Sequence, residues 1–121
     1  MLHVKKDGEF ETKEITDLEG AEGVSKEVLL GAPEGVETFA MRRFTLEEGG
    51  QTPYHSHDWE HEIFVLEGKG KIRTEDGEKD LASGDAVYVP SDNKHQFLSE
   101  SEGFAFLCLV PKRGEPTTAE V

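Results

Sequence analysis

Histidine is scarce in this chain, and three of its five histidines lie close together. They are His55, His57 and His61; His95 lies further along the chain, and His3 lies near its start. In a β-strand, residues i and i+2 point to the same face and lie about 6.6 Å apart. Two imidazoles placed in this way can bind one metal ion, with metal–nitrogen distances of about 2.1 Å. We therefore interpret this spacing as the signature of a metal site.

The third histidine needs a change of chain direction to join the first two. His61 cannot extend the same straight strand and still reach the same ion, so Asp58-Trp59-Glu60 must turn the chain and His61 must begin the next strand. His95 follows the turn-forming sequence Pro90-Ser91-Asp92-Asn93-Lys94 and begins a later strand. These positions predict four imidazoles from three strands around one ion. His3, in the polar N-terminal region, is not expected to take part.

The elements that carry these histidines are short β-type segments separated by turn-forming residues. Eight or nine strands at intervals of about ten residues, without helical periodicity, predict an all-β sandwich or barrel. Asp76-Gly77 between two such segments is typical of a tight hairpin. Turns or breaks are predicted at 47–50 and 68–70. The predicted strand segments are 24–30, 37–46, 52–57, 61–66, 72–74, 85–89, 95–98 and 104–110.

The length of 121 residues fits one domain. We expect a single domain over 1–121, made of a loosely ordered arm at 1–23, a core at about 24–111 and a frayed tail at 112–121. A small β domain must cover its exposed strand edges, which favours a homodimer.

Composition excludes several classes of partner. The 26 acidic and 13 basic residues give a formal net charge of −13, which would repel a nucleic acid. No apolar segment approaches the roughly 20 residues of a membrane-spanning helix, and the first residues lack the apolar core of a signal peptide. The single cysteine, Cys108, cannot form an internal disulfide. We therefore expect a cytoplasmic protein that binds neither nucleic acid nor membrane.

Two stretches of the sequence resemble the paired motifs of the cupin superfamily. The resemblance implies an all-β jelly-roll β-barrel (a double-stranded β-helix), of the small single-domain conserved-barrel type. It also implies a protein that is usually dimeric, with one divalent metal ion inside the barrel. The two stretches are Gly49-x5-His55-x-His57-x3-His61-x6-Gly68 and Gly84-x5-Pro90-x-Asp92-x2-His95-x3-Ser99.

The sequence departs from the family pattern at three positions. His61 stands where most cupins have a glutamate ligand, and Glu62 is the rival ligand if the spacer is one residue longer. The distance to Gly68 favours His61, whereas strand alternation does not decide between the two. Asp92 replaces a turn glycine but tolerates left-handed backbone geometry. Ser99 replaces an asparagine, which alters one hydrogen bond.

Four neutral imidazoles would leave the full +2 charge on a divalent ion, which makes it a stronger Lewis acid than a site with one carboxylate. Imidazole suits several transition metals, so the expected cofactor is one divalent ion per chain: Mn, Fe, Ni or Zn. Tetrahedral zinc would be saturated by four histidines, whereas an octahedral ion would keep two positions open.

Four further residues are candidates for the surroundings of the metal. Cys108 lies in a segment that is apolar on both faces; it is interpreted as a core residue, with a place beside the metal as the alternative. Phe97 shares a strand face with His95 and is expected to line the interior. Trp59 is expected to pack structurally or to border the pocket, and Glu62 is the rival ligand already named. No dedicated general base and no catalytic residue can be identified.

Two classes of function are compatible with this site. The first is an oxygenase-like or isomerase-like enzyme that performs redox or Lewis-acid chemistry on a small oxygen-bearing molecule. The second is a non-catalytic module that binds or senses a small ligand or a metal. The fold alone does not decide between them.

Overall fold

The computed structural model of the chain describes residues 2–115. This part of the chain forms nine β-strands and two 3-10 helices, at Ala32–Glu34 and Lys112–Gly114. The strands are β1 (Thr12–Glu14), β2 (Glu22–Leu30), β3 (Phe39–Gln51), β4 (His61–Glu67), β5 (Lys69–Thr74), β6 (Gly77–Ala82), β7 (Ala86–Val89), β8 (His95–Ser99) and β9 (Phe104–Pro111). It contains no helix long and apolar enough to cross a lipid bilayer.

All the strand pairs are antiparallel, and the sheet curls into the predicted jelly-roll barrel. The hydrogen-bonded order is β6-β5-β8-β3-β9-β4-β7, with β2 also paired to β3 and β1 paired to β2. Strand β3 joins the two halves, because its residues 39–46 pair with β9 whereas Gln51 pairs with β8. The predicted all-β class is confirmed, and the Asp76-Gly77 sequence lies at the β5–β6 hairpin.

Strand alternation buries one face of each central strand. In β3 the buried side chains recur every second residue from Ala40 to Leu46, and β4 alternates in the same way from His61 to Val65. Three phenylalanines from three strands meet in the core: the ring centroids of Phe44 and Phe106 are 5.6 Å apart, and those of Phe97 and Phe106 are 4.5 Å apart. Aromatic rings at such separations pack the two halves of the barrel together.

Two segments predicted as turns belong to strands. Residues 47–50 form a bulge within β3. Leu46 pairs with Val24 and Gln51 pairs with Glu22, so β3 has more residues than β2 between these two pairs. Gly49 has a φ of 77°, a left-handed backbone that suits glycine. At 68–70 only Gly68 is outside a strand. Gly70 lies in β5, and a Cβ there would lie 2.5 Å from the Leu98 carbonyl oxygen, so only glycine fits.

The predicted strand at 52–57 is wrong. Only one isolated bridge forms there, between His55 and His95, whose backbone N–H groups donate to each other's carbonyl oxygens over 3.1 and 2.9 Å. Pro53 has no N–H to donate to a ladder. The first two histidines of the cluster therefore lie on a connecting segment, and the four imidazoles come from two strands and one loop.

The two ends of the described chain are packed against the barrel. Within the predicted arm at 1–23, Ile15 is buried in the core and β1 pairs with β2. Within the predicted tail, Lys112–Gly114 is helical and the side chain of Glu115 is 8% exposed. The rest of that predicted tail, residues 116–121, lies outside the described residues.

Candidate functional site

The four histidine rings form one cluster at one side of the aromatic core. His61 and His95 are the first residues of β4 and β8, and the connecting segment supplies His55 and His57. Ring centroids are 4.3 Å apart for His55 and His57, 5.0 Å for His61 and His95, and 5.3 Å for His57 and His61. His95 lies 5.4 Å from His55 and 6.2 Å from His57. The structure thus brings together all four predicted imidazoles.

Hydrogen bonding leaves nitrogen atoms of this cluster available to a ligand. Nδ1 of His95 lies 2.8 Å from the Asn93 carbonyl oxygen, which can only accept, so Nδ1 carries the hydrogen and Nε2 keeps its lone pair. A metal-binding histidine commonly donates its other ring N–H in this way. Nδ1 of His61 is buried without a hydrogen-bond partner. A buried polar atom in that state is costly unless a ligand satisfies it.

Burial keeps these imidazoles neutral. Desolvation, with repulsion from His57, His95 and Arg42 in addition, lowers the pKa of His55 to about 4. Burial likewise lowers the pKa of His61 to about 3, assisted by the charges of its neighbours. Burial also lowers the pKa of His95, although its bond to Asn93 opposes the shift. Neutral imidazole is the form that binds metal ions.

The residue types fit a metal ion, but the rings are not arranged as a finished coordination shell. Within residues 2–115, no group of three or more His, Cys, Asp or Glu side chains could hold a metal ion as it stands. His57 stacks on Trp59, with 4.6 Å between ring centroids and an interplanar angle of 5°. Binding by all four imidazoles would therefore require rings to turn about their side-chain bonds.

A small cavity of about 20 Å³, enough for about one water molecule, separates the histidines from the aromatic core. Phe97 lines it, as expected, and its ring centroid is 6.0 Å from that of His95. Cys108 also lines it, so this core residue lies at the cavity, and burial raises the pKa of its thiol. Other side chains that line the cavity are Arg42, Phe44, Thr52, His55, His61, His95 and Phe106.

Glu62 and Trp59 take different positions from these lining residues. Glu62 is exposed and borders an outer groove with Phe64 and Tyr88, because strand alternation turns it away from His61. Trp59 is half-buried against the core and against Gly114, where an added Cβ would lie 2.8 Å from the indole Nε1. The structure therefore places His61, and not Glu62, in the histidine cluster.

The sequence reasoning missed a buried ionic cluster on the other side of the cavity. Arg42 is 1% exposed and Lys26 is 3% exposed. Lys26 Nζ lies 2.8 Å from Glu115 Oε1, and Arg42 Nη1 donates to the same oxygen over 3.3 Å. Arg42 Nη2 donates to Cys108 Sγ over 2.9 Å. We call these four residues the Arg42 cluster.

Strand alternation could have revealed Arg42. It shares its face of β3 with Ala40 and Phe44, which are buried, whereas Arg43 lies on the opposite face. Arg43 pairs there with Glu27 over 2.7 Å, as expected for an outward arginine. Lys26 carries the same signal in β2, where it shares a buried face with Val24. Glu115 carries none, because it lies beyond the last strand.

Comparison with known proteins places this geometry in a family. The family model described as "Cupin domain" matches residues 42–110. A solved structure of the polyketide cyclase RemF from Streptomyces resistomycificus superposes with a TM-score of 0.85 at 29% identity, covering 93% of this chain and 80% of that one. A cupin 2 conserved barrel domain protein from Rhodopseudomonas palustris gives a TM-score of 0.75 at 25% identity, covering 84% of this chain and 71% of the other.

A curated relative adds a second activity. The 1-methylthio-D-xylulose 5-phosphate methylsulfurylase of Rhodospirillum rubrum is 30% identical over 74 residues, which are 60% of this chain and 47% of that protein. The chain thus spans about half the length of the curated relative that it matches. These relatives differ in activity, which agrees with a fold that carries many functions.

Proposed function

The chain belongs to the cupin family, and from that premise we propose that it is a metal-dependent enzyme. Its substrate would be a small oxygen-bearing molecule, and its cofactor one divalent Mn, Fe, Ni or Zn ion held by His55, His57, His61 and His95. We favour Lewis-acid chemistry, such as cyclisation or isomerisation of a carbonyl compound, over redox chemistry.

One observation carries the proposal: four buried or half-buried imidazoles form one cluster, three of them line the cavity, and Nδ1 of His61 is left without a hydrogen-bond partner. A divalent ion bound by these nitrogens would polarise a carbonyl oxygen as a Lewis acid. Because all four proposed ligands are neutral, they would not reduce the charge of that ion.

The chain's own residues support such chemistry in two ways. Phe44, Phe97 and Phe106 give the cavity apolar walls that exclude water and so strengthen electrostatic interactions within it. The residues that line the cavity, within the described chain, include no aspartate or glutamate. The four imidazoles would use their lone pairs as ligands, so a proton removed from a substrate would pass to a group of the substrate or to water. The lack of a carboxylate base among these lining residues disfavours hydrolysis.

The similarity to a polyketide cyclase supports the preference for carbonyl chemistry. The superposition with that enzyme covers nearly the whole of this chain, at 29% identity. A sugar phosphate isomerase from Silicibacter pomeroyi, at 24% identity, has the same fold. The match to the methylsulfurylase spans only part of both proteins.

The experiment that tests the function begins with elemental analysis of the purified protein. The metal-loaded protein is then given a simple enolisable 1,3-diketone in deuterated buffer. Lewis-acid catalysis predicts metal-dependent deuterium exchange at the central carbon, followed by NMR. Oxygen consumption without such exchange would instead support redox chemistry. His57→Ala should abolish exchange, whereas Glu62→Gln, on the outer face, should leave it unchanged.

A non-catalytic binding module is the second candidate. The small cavity favours it, because about 20 Å³ holds a water molecule or a metal ion and lies far below the usual size range of small-molecule sites. A stoichiometric metal ion without exchange or oxygen consumption, together with saturable binding of a small ligand, would support the module and contradict the enzyme.

A homodimer and a cytoplasmic location remain part of the proposal. Phe64 is 45% exposed and Tyr88 57% exposed on the outer groove, and an apolar surface of this kind supports association. Sedimentation equilibrium tests the dimer: a Tyr88→Glu variant should shift the mass towards the monomer. An unchanged mass would place the interface elsewhere.

A further inference from the structure

The Arg42 cluster places a cation at the cavity, and one of its donor atoms is free. Arg42 lines the cavity together with His55, His61 and His95. Its Nε is buried and has no hydrogen-bond partner. Buried donors of native proteins are satisfied in the large majority of cases, so an unpartnered guanidinium nitrogen needs an explanation.

The partners that Arg42 does have leave room for an acceptor. Nη1 donates to Glu115 and Nη2 to Cys108 Sγ. Nη2 carries two hydrogens, and one side of the guanidinium presents an Nε–H beside an Nη2–H, the pair that a carboxylate binds side-on. Arg42 is therefore not saturated by its protein contacts.

The surroundings of Arg42 are electropositive. Arg42 and Lys26 share the carboxylate of Glu115, and repulsion from Arg42 contributes to the lowered pKa of Lys26, behind desolvation. The charge of Arg42 is also felt by His55 and His61. The Arg42 guanidinium carbon lies 5.1 Å from the Phe44 ring centroid, on an apolar wall that holds it in place.

We propose that Arg42 is an anion-binding residue that receives the carboxylate of a small substrate whose other end reaches the histidine cluster. The proposal deepens the proposed function, on which it rests for the role of the histidines. The Nε–H and one Nη2–H would donate to the two carboxylate oxygens, and Lys26 would add long-range attraction. The cavity of about 20 Å³ would have to widen to admit this substrate, which limits it to a compact molecule.

Glu115 is then a competitor as well as a structural partner. Its carboxylate already neutralises part of the charge that an incoming anion would meet. Removing that charge should strengthen the binding of an anion, whereas removing Arg42 should weaken it. The two variants therefore move the affinity in opposite directions, and a purely structural ionic cluster would not produce that pattern.

The test uses acetate as the probe and acetamide as its neutral counterpart, on metal-free protein at a neutral pH where the imidazoles are uncharged. The Arg42 Nε–H resonance is followed by NMR. Acetate should shift it in the wild type, and Arg42→Gln should lower acetate affinity, seen at other cavity resonances, by about tenfold or more. Arg43→Gln, on the opposite face of β3, is the control and should change the acetate affinity by less than about twofold.

Glu115→Gln should raise the affinity for acetate, and acetate should then raise its melting temperature more than that of the wild type. If Arg42→Gln does not fold, this variant and the wild-type titration decide. Equal effects of acetate and acetamide, or an unchanged acetate affinity in Glu115→Gln, would overturn the anion site.

The outcome separates this inference from the function on which it rests. Acetate binding that depends on Arg42, in a protein that takes up no divalent ion, would retain the anion site and reject the metal enzyme. Metal-dependent deuterium exchange with no effect of Arg42→Gln on acetate affinity would retain the metal enzyme and reject the anion site.

Discussion

The cavity has two sides that differ in how they are built and in how complete they are. The histidine cluster is formed mainly by residues that are close in sequence; it leaves Nδ1 of His61 unpartnered, and its rings do not form a coordination shell. The Arg42 cluster is formed by residues as far apart as Lys26 and Glu115, and its members contact one another. The first side is without a complete set of ligand contacts, whereas the second is held by its own charges and keeps one unpartnered donor, Arg42 Nε.

The largest effect should come from breaking the Arg42 cluster. Glu115→Gln leaves two buried cations without their shared carboxylate, and removing one member of a buried ion pair costs about 3–5 kcal/mol. We expect the free energy of unfolding in urea to fall by that amount. Glu27→Gln, which removes the carboxylate that Arg43 binds at the surface, is the matched control and should cost at most about 1 kcal/mol. Equal losses would show that the cluster is no stronger than a surface pair.

The next largest effect concerns the metal. His61→Ala or His57→Ala should weaken the binding of Zn²⁺, measured by calorimetry, by about 100-fold, or nearly 3 kcal/mol, because each removes a proposed ligand. Glu62→Gln serves as the control and should leave the affinity unchanged. Loss of the metal in Glu62→Gln with retention in His61→Ala would reverse the assignment of the third ligand.

Acidification should destabilise the metal-free protein through the histidine side of the cavity. The unfolded chain takes up protons near the ordinary histidine pKa of 6.5, whereas folded His55 and His61 take them up only at about 4 and about 3. Stability is therefore full above 6.5 and is lost as the pH falls towards 4. We expect a loss of roughly 2–3 kcal/mol between about pH 7.5 and 5.5.

The contribution of His61 to this loss of stability is measured by comparing a variant with the wild type. His61→Asn removes one of the two groups, so urea denaturation of this variant should show a shallower dependence on pH than the wild type. An equal slope in the two proteins would mean that other groups carry the pH dependence.

The smallest effect should come from Trp59, which packs beside the histidine cluster without lining the cavity. Its ring stacks on His57, and its Nε1 is buried without a partner. Trp59→Phe keeps an aromatic ring there and removes the unpaired donor, so we expect the free energy of unfolding to change by less than about 1 kcal/mol. A larger loss, measured by thermal denaturation, would show that the size of the indole matters to the packing on Gly114.

Local patterns explain how much of this structure could be predicted. The histidine spacing, the turn before His61 and the Asp76-Gly77 hairpin are properties of short segments, and the structure has all of them. The prediction of a strand at 52–57 is wrong because the backbone hydrogen bonds of this segment are made with the distant residues 95–97. Similarly, 47–50 have the composition of a turn, but pairing on both sides of the bulge keeps them within β3.

The choice between His61 and Glu62 shows where periodicity fails and tertiary structure decides. Both faces of β4 are apolar beyond these residues, so alternation alone left the orientation open. Pairing with β9 on one side and β7 on the other turns His61 inward and Glu62 outward. The Arg42 cluster is harder still to predict, since its four residues come from four separate parts of the chain: β2, β3, β9 and the segment after the last 3-10 helix.

The position of Glu115 has a consequence for synthesis. The carboxylate that neutralises Lys26 lies 89 residues further along the chain and beyond the last strand. During translation, β2 and β3 would leave the ribosome with their inward cations long before that carboxylate is available. A nascent chain would gain little by burying them early, so we expect the barrel to close late, when almost all of the described chain has been made.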